Sequence, residues 1–191
     1  MKKIAGLILM ALVAVPALAR AATYQIDSAH TFPQFEIRHL NFSMLHGQFN
    51  HTTGTITMNR AKKMGSVEVS IAVDSIDTGN AQRDKDLEAP SFFDAAKYPT
   101  ITYKSTKVTY HGKDAATVHG NLTIKGHTQP VELKVTRIHC ASDPFSKGTR
   151  CGFDASAKID RTAFGVSGDP GMIPDDVHLV INADAVSSSG D

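Results

Sequence analysis

The sequence contains nine histidines, which are the residues best suited to bind a metal ion or to transfer a proton. His46 and His51 lie close together, but no two histidines have the H-x-x-x-H spacing of a helical zinc site, and no H-E-x-x-H motif occurs. These two residues flank a predicted bend, where histidine side chains are commonly solvated. We therefore expect no metal site.

The sequence also contains little that is typical of a catalytic site. No G-x-S-x-G motif is present to place a serine on a strained turn. No glycine-rich phosphate loop occurs, and the acidic residues are spread over predicted loops without a convincing pair beside a base. A hydrolase or metal enzyme is the last of three function classes that we consider, and we expect no catalytic residues.

Two dipeptides of opposite charges have more distinctive positions. Arg83-Asp84 lies in a long connection, and Asp160-Arg161 lies at a late turn. They could gate an opening or hold a polar head group. Alternatively they pin the connection to the body of the domain, through ion pairs that include pairs between the two segments. We favour the architectural interpretation.

The N-terminal residues predict export. Lys2 and Lys3 precede an apolar run too short to span a bilayer, and Ala19-Arg20-Ala21 fits a signal peptidase site. We predict a removed signal peptide over 1–21, a single domain over 22–191 without a membrane anchor, and a periplasmic location. Without its three cationic residues the chain has 17 basic and 19 acidic residues, a net charge of −2. Nucleic acid is therefore an unfavourable partner.

The two cysteines follow this predicted signal. Cys140 and Cys151 flank a segment rich in Ser, Pro, Gly and Asp, and they lack the C-x-x-C spacing of redox and zinc sites. In an oxidising compartment such a pair predicts a disulfide bond.

Apolar and polar residues alternate along most of the chain, which predicts strands with one buried face. The fold class is therefore all-β, and about eight evenly spaced strands favour an antiparallel barrel or a sandwich. The alternation stops between Asp77 and Pro99, where we predict a short helical connection around 81–97. The clearest alternating runs are 34–38, 67–73, 101–110, 118–124, 131–135, 153–159 and 177–183.

Several residues on the predicted inner faces are small. A barrel of about eight strands is wide enough either to be filled by side chains or to hold one small ligand. Small residues could leave room for a guest or could allow close packing of sheets, and periodicity does not decide between these alternatives. The residues concerned are Gly47, Gly120, Ala155, Ala157 and Ala183.

A series of short motifs occurs in order along the whole of 22–191. The motifs are Asp27-x-x-His30, Phe35-x-Ile37-x-His39-Leu40, Gly47-x-Phe49, Ser75-Ile76-Asp77-Thr78-Gly79-Asn80, Arg83-Asp84-x-x-Leu87, Phe92-Phe93-Asp94, Tyr98-Pro99-Thr100-Ile101, Gly120-Asn121-Leu122-Thr123-Ile124-x-Gly126 and Ile159-Asp160-Arg161-x-x-Phe164-Gly165. Together they resemble the YceI-like family of bacterial periplasmic proteins. The resemblance implies an extended, lipocalin-like barrel with a hydrophobic tunnel that binds a polyisoprenoid or related amphiphilic lipid, without another cofactor.

The leading hypothesis is therefore a carrier of a long apolar lipid such as an isoprenoid or a quinone tail. His30 and His39 could hydrogen-bond a ligand head group, although a structural role at a barrel rim is the favoured interpretation. A filled barrel that binds an envelope partner is the main alternative, and a homodimer stays open. The predicted cavity-lining residues are Phe35, Ile37, Phe49, Val69, Ile71, Ile101, Tyr103, Leu122, Leu133, Phe153 and Ile181.

Overall fold

The alternating pattern forms one antiparallel sheet that closes on itself. The structure, a computed structural model, describes residues 21–187, so the predicted signal peptide lies outside the described residues except for Ala21. One α-helix, α1 (Ala81–Glu88), interrupts the strands. The strands are β1 (Ala22–Ile26), β2 (Phe32–His39), β3 (Ser43–Phe49), β4 (Thr52–Asn59), β5 (Met64–Ala72), β6 (Ile76–Asp77), β7 (Thr100–His111), β8 (Ala115–Ile124), β9 (His127–Ser142), β10 (Thr149–Asp160) and β11 (Asp176–Val186).

We call each segment that spans the barrel wall from end to end a stave. Three of the staves consist of two shorter strands separated by a break. β1 and β2 are separated at 27–31, β3 and β4 at 50–51, and β5 and β6 at 73–75. Counted as staves, the strands follow one another around the wall in chain order, because each pairs antiparallel with its neighbours along the sequence. The predicted all-β barrel of about eight strands is therefore confirmed.

The two ends of the barrel differ in their connections. One end, called here the helix end, carries the β2–β3 turn, the segment 78–99 with α1, the β8–β9 turn and the loop 161–175. The opposite end, called the disulfide end, carries the short β4–β5, β7–β8 and β9–β10 turns. Long loops at one end are typical of a barrel whose opening is elaborated there.

The wall closes where β11 meets the broken first stave. β11 pairs with β2 from His178↔Glu36 to Asn182↔Phe32, and with β1 through only two residue pairs. Between these two contacts the hydroxyl of Thr31 donates to the Asp184 carbonyl at 3.2 Å and accepts from the Asp184 amide at 3.0 Å. The Asp27 amide donates to the same carbonyl at 2.8 Å, so Thr31 supplements the backbone ladder at the break.

A charge cluster supports this junction towards the disulfide end. The Arg150 guanidinium lies 2.7 Å from Asp27 and 3.1 Å from both Asp143 and Asp184. It joins β10, the β9–β10 turn, β11 and the break after β1. Arg150 holds the pKa of the Asp27 carboxyl below its ordinary value, because its hydrogen bond favours the charged carboxylate.

The disulfide lies beside this cluster. Cys140 and Cys151 face each other across β9 and β10 and are bonded. Cys151 is fully buried, and neither cysteine is free. The predicted disulfide is confirmed.

The predicted helical connection is helical only in its first half. The Asn80 side chain caps α1 by accepting from the amides of Gln82 and Arg83, both at 3.1 Å. Helical structure ends at Glu88, because a residue before a proline disfavours the helical region and Pro90 follows Ala89. Residues 90–97 form hydrogen-bonded turns instead.

The loop 161–175 is organised around Arg161, whose side chain is buried. Its guanidinium donates to four backbone carbonyls, at distances of 2.8–3.0 Å, and lies 3.5 Å from Asp175. A polar group that is buried must be hydrogen-bonded, and here one side chain satisfies several carbonyls of an irregular loop. The acceptors are Val166, Gly168, Ile173 and Pro174.

Replacement of both cysteines tests the contribution of the disulfide. The Cys140→Ala/Cys151→Ala variant should unfold at lower denaturant concentration, with a loss of about 3 kcal/mol for a ring of this size. The wild-type protein treated with a reductant serves as the matched control and should lose a similar amount. Two titratable thiols in denatured, unreduced wild-type protein would contradict the bond.

Removal of the Arg161 side chain tests its structural role. Arg161→Ala should lower the free energy of unfolding by at least about 3 kcal/mol in chemical denaturation, because several buried carbonyls lose their donor. Arg60→Ala, at an exposed position in the β4–β5 turn, is the control and should change stability little. Equal stability of the two variants would argue against Arg161 as the organiser of the loop.

Candidate functional site

The inward faces of the strands enclose a cavity of about 420 Å³. Its wall extends from Met58 and Tyr110, near the disulfide end, to Leu87 and Ile173 at the helix end. This volume lies within the range of about 300–1,000 Å³ for small-molecule sites. The barrel is therefore not completely filled by its own side chains.

Every one of the predicted cavity-lining residues contributes to this wall. They come from eight different strands, which shows that alternation assigned the inward faces correctly in the geometric sense. Their role in binding a ligand stays a prediction. The residues are Phe35, Ile37, Phe49, Val69, Ile71, Ile101, Tyr103, Leu122, Leu133, Phe153 and Ile181.

The small inward residues have two different roles. A Cβ atom at Gly47 would lie 2.3 Å from the Phe35 ring, and one at Gly120 would lie 2.5 Å from the Tyr103 ring. These glycines therefore make room for aromatic rings of the wall, not for a guest. Ala155 and Ala183 do border the cavity, and their short side chains contribute to its width.

Tyr103 carries a hydroxyl into the apolar interior, where it is satisfied by the wall. It donates to the carbonyls of Val118 at 2.9 Å and Val131 at 3.1 Å. Burial raises the pKa of the Tyr103 phenol, because a low-dielectric environment disfavours the phenolate. The middle of the cavity is therefore uncharged at neutral pH, and this phenol has no free proton-transfer role.

Thr52 supplies a different kind of polar group. Its side chain is fully buried at the start of β4 and borders the cavity. Within residues 21–187 its hydroxyl oxygen has no hydrogen-bond partner. An unsatisfied buried polar group is unfavourable, and this atom has too little accessible surface to contact a guest molecule in the cavity.

Charged side chains border the cavity at the helix end. Arg38 and His39 at the end of β2, Asp86 on α1 and Asp169 in the 161–175 loop are solvent-exposed there. The half-buried Arg83 lies with them. Exposed lining residues mark the place where a cavity meets solvent, and we call this group of five residues the mouth. The cavity thus combines an apolar body with a charged opening.

Arg83 and Asp84 are both tied to Thr78, at the N-terminal side of α1. The Arg83 guanidinium donates to the Thr78 hydroxyl at 2.8 Å and to its carbonyl at 2.7 Å. Asp84 accepts from the Thr78 amide and hydroxyl at 2.9 and 2.5 Å. Arg83 also borders the cavity, whereas Asp84 does not.

The second dipeptide behaves in the same way. Asp160 accepts from the amide and hydroxyl of Thr162, which lowers the pKa of its carboxyl, and Arg161 borders the cavity from within its loop. No ion pair joins the two dipeptides in the part of the chain that the structure describes. Each dipeptide therefore stabilises its own segment through bonds to backbone groups and to the hydroxyls of Thr78 and Thr162, and not through the pairing between segments that we considered as one arrangement.

The two candidate histidines lie in different places. His39 belongs to the mouth, where it is exposed. His30 lies outside the barrel, with its Nδ1 atom 2.8 Å from the carboxylate of Asp27. Of the two, only His39 is positioned to reach a molecule in the cavity.

Sequence reasoning missed the aromatic residues that line the cavity at the helix end. The Phe93 ring packs edge-on against Phe49, with centroids 5.8 Å apart, and Phe49 lies 6.1 Å from Phe35. A Cβ at Gly168 would lie only 2.4 Å from the Phe92 ring, so this glycine admits the ring. The non-periodic segment 78–99 gave no signal for the direction of these side chains.

Within residues 21–187, no group of three or more His, Cys, Asp or Glu side chains is arranged to hold a metal ion. The same residues contain no helix that is long and apolar enough to cross a membrane. Neither observation alters the geometry of the cavity.

Solved structures share this architecture. BcnA of Burkholderia cenocepacia superimposes with a TM-score of 0.73 at 27% identity, covering 83% of this chain and 98% of that protein. A polyisoprenoid binding domain from Saccharophagus degradans gives a TM-score of 0.66 at 16% identity, covering 88% and 99%. The latter similarity concerns the fold alone.

The sequence comparisons extend over almost the whole chain. A UPF0312 protein of Pseudomonas aeruginosa is 37% identical over 188 residues, which is 97% of each protein. Residues 24–185, from β1 to the end of β11, match the YceI-like domain. This match covers all of the strands that build the wall. The chain therefore belongs to the YceI-like family.

Proposed function

We propose that this protein is a periplasmic carrier that holds a long apolar lipid, such as a polyisoprenoid or a quinone tail, inside its barrel. The observation that carries the proposal is the uncharged apolar cavity that opens at a charged mouth. A wall of this kind offers few groups for chemistry and many contacts for hydrocarbon.

Burial of hydrocarbon supplies the binding free energy. Each Å² of apolar surface removed from water contributes about 25 cal/mol, so a long chain binds without a precise pattern of polar contacts. Directional groups inside the wall are few, and Tyr103 is already satisfied by backbone carbonyls. Selectivity inside the barrel then rests on length and width.

The asymmetry of the site gives an amphiphile one favoured orientation. Arg38 and Arg83 lie at the mouth beside Asp86 and Asp169, so a polar head group can stay hydrated there and meet guanidinium donors. The apolar tail then extends towards Met58 and Tyr110. The opposite orientation would bury the head group among apolar side chains, which is unfavourable.

The comparisons and the N-terminal sequence support this assignment. One solved structure with the same fold is described as a polyisoprenoid binding domain. Residues 1–21 have the composition of an export signal, and the disulfide suits an oxidising compartment. Together they favour a lipid ligand and a periplasmic location.

A filled barrel that acts through an envelope partner is the alternative class. The exposed side chains of the helix end could bind a protein, and a homodimer would also use such a surface. The cavity favours the carrier, because an interaction scaffold has no need of unfilled space. Catalysis has less support, since the lining residues include no nucleophile with an adjacent base.

Analysis of a native extract tests the carrier directly. Protein purified from its own host without detergent should contain an apolar lipid, detected by mass spectrometry of an organic extract. Protein denatured and refolded in buffer is the control and should be empty until a long-chain polyprenol is added. An empty native protein whose refolded form also fails to retain polyprenol would contradict the proposal.

A larger side chain in the wall tests whether the space is used. Leu122 is 6% exposed and faces the cavity from β8, so Leu122→Trp should place its ring in the guest volume. We expect the empty protein to keep its stability and to retain less polyprenol. In a tightly filled core the same change would overpack and cost about 1–3 kcal/mol.

Asn121→Trp is the matched control, because the neighbouring residue on β8 is exposed on the outer face. This variant should change neither stability nor polyprenol retention. Marked destabilisation by Leu122→Trp, together with unchanged retention, would favour the filled scaffold instead.

A further inference from the structure

The turn between β2 and β3 presents apolar side chains to solvent. Phe42 is 86% exposed, and Leu40 and Met44 are 38% and 42% exposed. We call residues 40–44 the hairpin tip. Three large apolar residues within five positions form a contiguous patch, unlike a single exposed hydrophobe, which needs no explanation.

The fold does not require these residues. The Phe42 amide donates to the His39 carbonyl at 2.9 Å, and Leu40 and Asn41 have φ angles of 48° and 61°. Such a turn favours asparagine and glycine at its two central positions. Leucine is unfavourable there in conformation and in exposure, so its presence points to a contact outside the chain.

The hairpin tip continues the wall of the cavity. Ile37 and Leu45 pair across β2 and β3 and both border the cavity, and His39 of the mouth immediately precedes Leu40. Met172, which is 56% exposed, lies in the 161–175 loop on another side of the mouth. An apolar surface therefore runs from the interior, past the opening, to the outermost residues of the helix end.

The charges around the hairpin tip fit an anionic surface. The segment 37–47 contains Arg38 and no acidic residue, and the carboxylate of the preceding Glu36 lies 3.5 Å from His46 and 3.0 Å from His178. Arg38 lies opposite Met44 across the two strands, so a fixed positive charge borders the apolar patch.

We propose that the hairpin tip inserts into the surface of a phospholipid bilayer that contains anionic head groups, and that this docking holds the mouth against the membrane. Phe42 and Leu40 would enter the boundary between head groups and acyl chains, with Arg38 at the level of the phosphates. The inference rests on the proposed function in one respect: a lipid cargo gives the protein a reason to dock there. Docking itself needs no cargo.

Tryptophan reporters test the proposal, because the chain contains no tryptophan. Phe42→Trp, in delipidated protein, should shift to shorter emission wavelength with vesicles of phosphatidylethanolamine and phosphatidylglycerol. Brominated acyl chains in the same vesicles should quench it. Phe145→Trp is the matched control, since Phe145 is 87% exposed in the β9–β10 turn at the disulfide end, and it should not respond.

Quenching of Phe145→Trp instead of Phe42→Trp would overturn the proposal, and the cations Arg60, Lys62 and Lys63 of the disulfide end would then explain docking of that end. A wavelength shift of Phe42→Trp that grows with protein concentration without vesicles would also overturn it, because the tip would then bind a second copy.

A charge in the hairpin tip provides an independent readout. Phe42→Asp should lower the fraction of protein that floats with vesicles by about tenfold, because one buried phenylalanine side chain is lost. Its thermal unfolding should match wild type, since the residue makes little contact with the fold. Unchanged flotation would overturn the proposal.

Retention of polyprenol by Phe42→Asp separates membrane docking by the hairpin tip from binding of the lipid cargo. Normal retention with lost flotation supports docking as a function distinct from holding the cargo. Lost retention with normal flotation would overturn the role of the tip in docking and would place Phe42 in cargo binding. Wild-type protein that floats but retains no polyprenol would leave docking intact and contradict the carrier.

Discussion

The pairing of the last strand with both halves of the first stave is the interaction on which the structure depends. Without it the sheet would have two exposed edges, and the inward faces would surround no enclosed space. Because β1 contributes only two residue pairs to this junction, side chains complete it. Thr31 bridges the gap with its hydroxyl, and Arg150 joins the adjoining elements by charge. These polar contacts of Thr31 and Arg150 close the barrel, and the closed barrel encloses the apolar cavity.

The inward side chains surround a cavity and do not fill the interior completely. Aromatic rings pack against glycines of neighbouring strands, as Phe35 does at Gly47 and Tyr103 at Gly120. The bulk of these rings therefore thickens the wall without blocking the centre. At the helix end Phe92 and Phe93, which belong to a non-periodic segment, also line the cavity, and the Phe93 ring packs edge-on against Phe49. Aromatic residues therefore contribute to the wall both from the strands and from this connection.

Alternation in the sequence was sufficient for the all-β class and for the direction of the wall residues, whereas the barrel followed from the family resemblance and the disulfide from the predicted export and the cysteine spacing. It survived register shifts in β7 and β9 because the apolar positions shift with them, as Val108 and Ile138 show. β1, β3 and β4 were not recognised as separate strands, since β1 has only five residues and Gly, Thr and His interrupt the apolar pattern of β3 and β4. The mouth depends on residues distant in sequence, such as Arg38 and Asp169, and no local pattern brings them together. The bonds of Arg161 to carbonyls of the 161–175 loop likewise depend on the folded backbone, and no local sequence pattern predicts them.

The breaks in three adjacent staves have a mechanical consequence. They lie side by side, because Ser28 bonds to the Thr52 amide across the first pair and Ser75 accepts from the His51 amide across the second. Along this line serine hydroxyls supplement the backbone bonds from the Asn50 amide to Ser75 and from the Ala72 amide to His51. Because the regular ladder is interrupted in three neighbouring strands, we expect local opening of the wall to cost the least free energy on this side of the barrel.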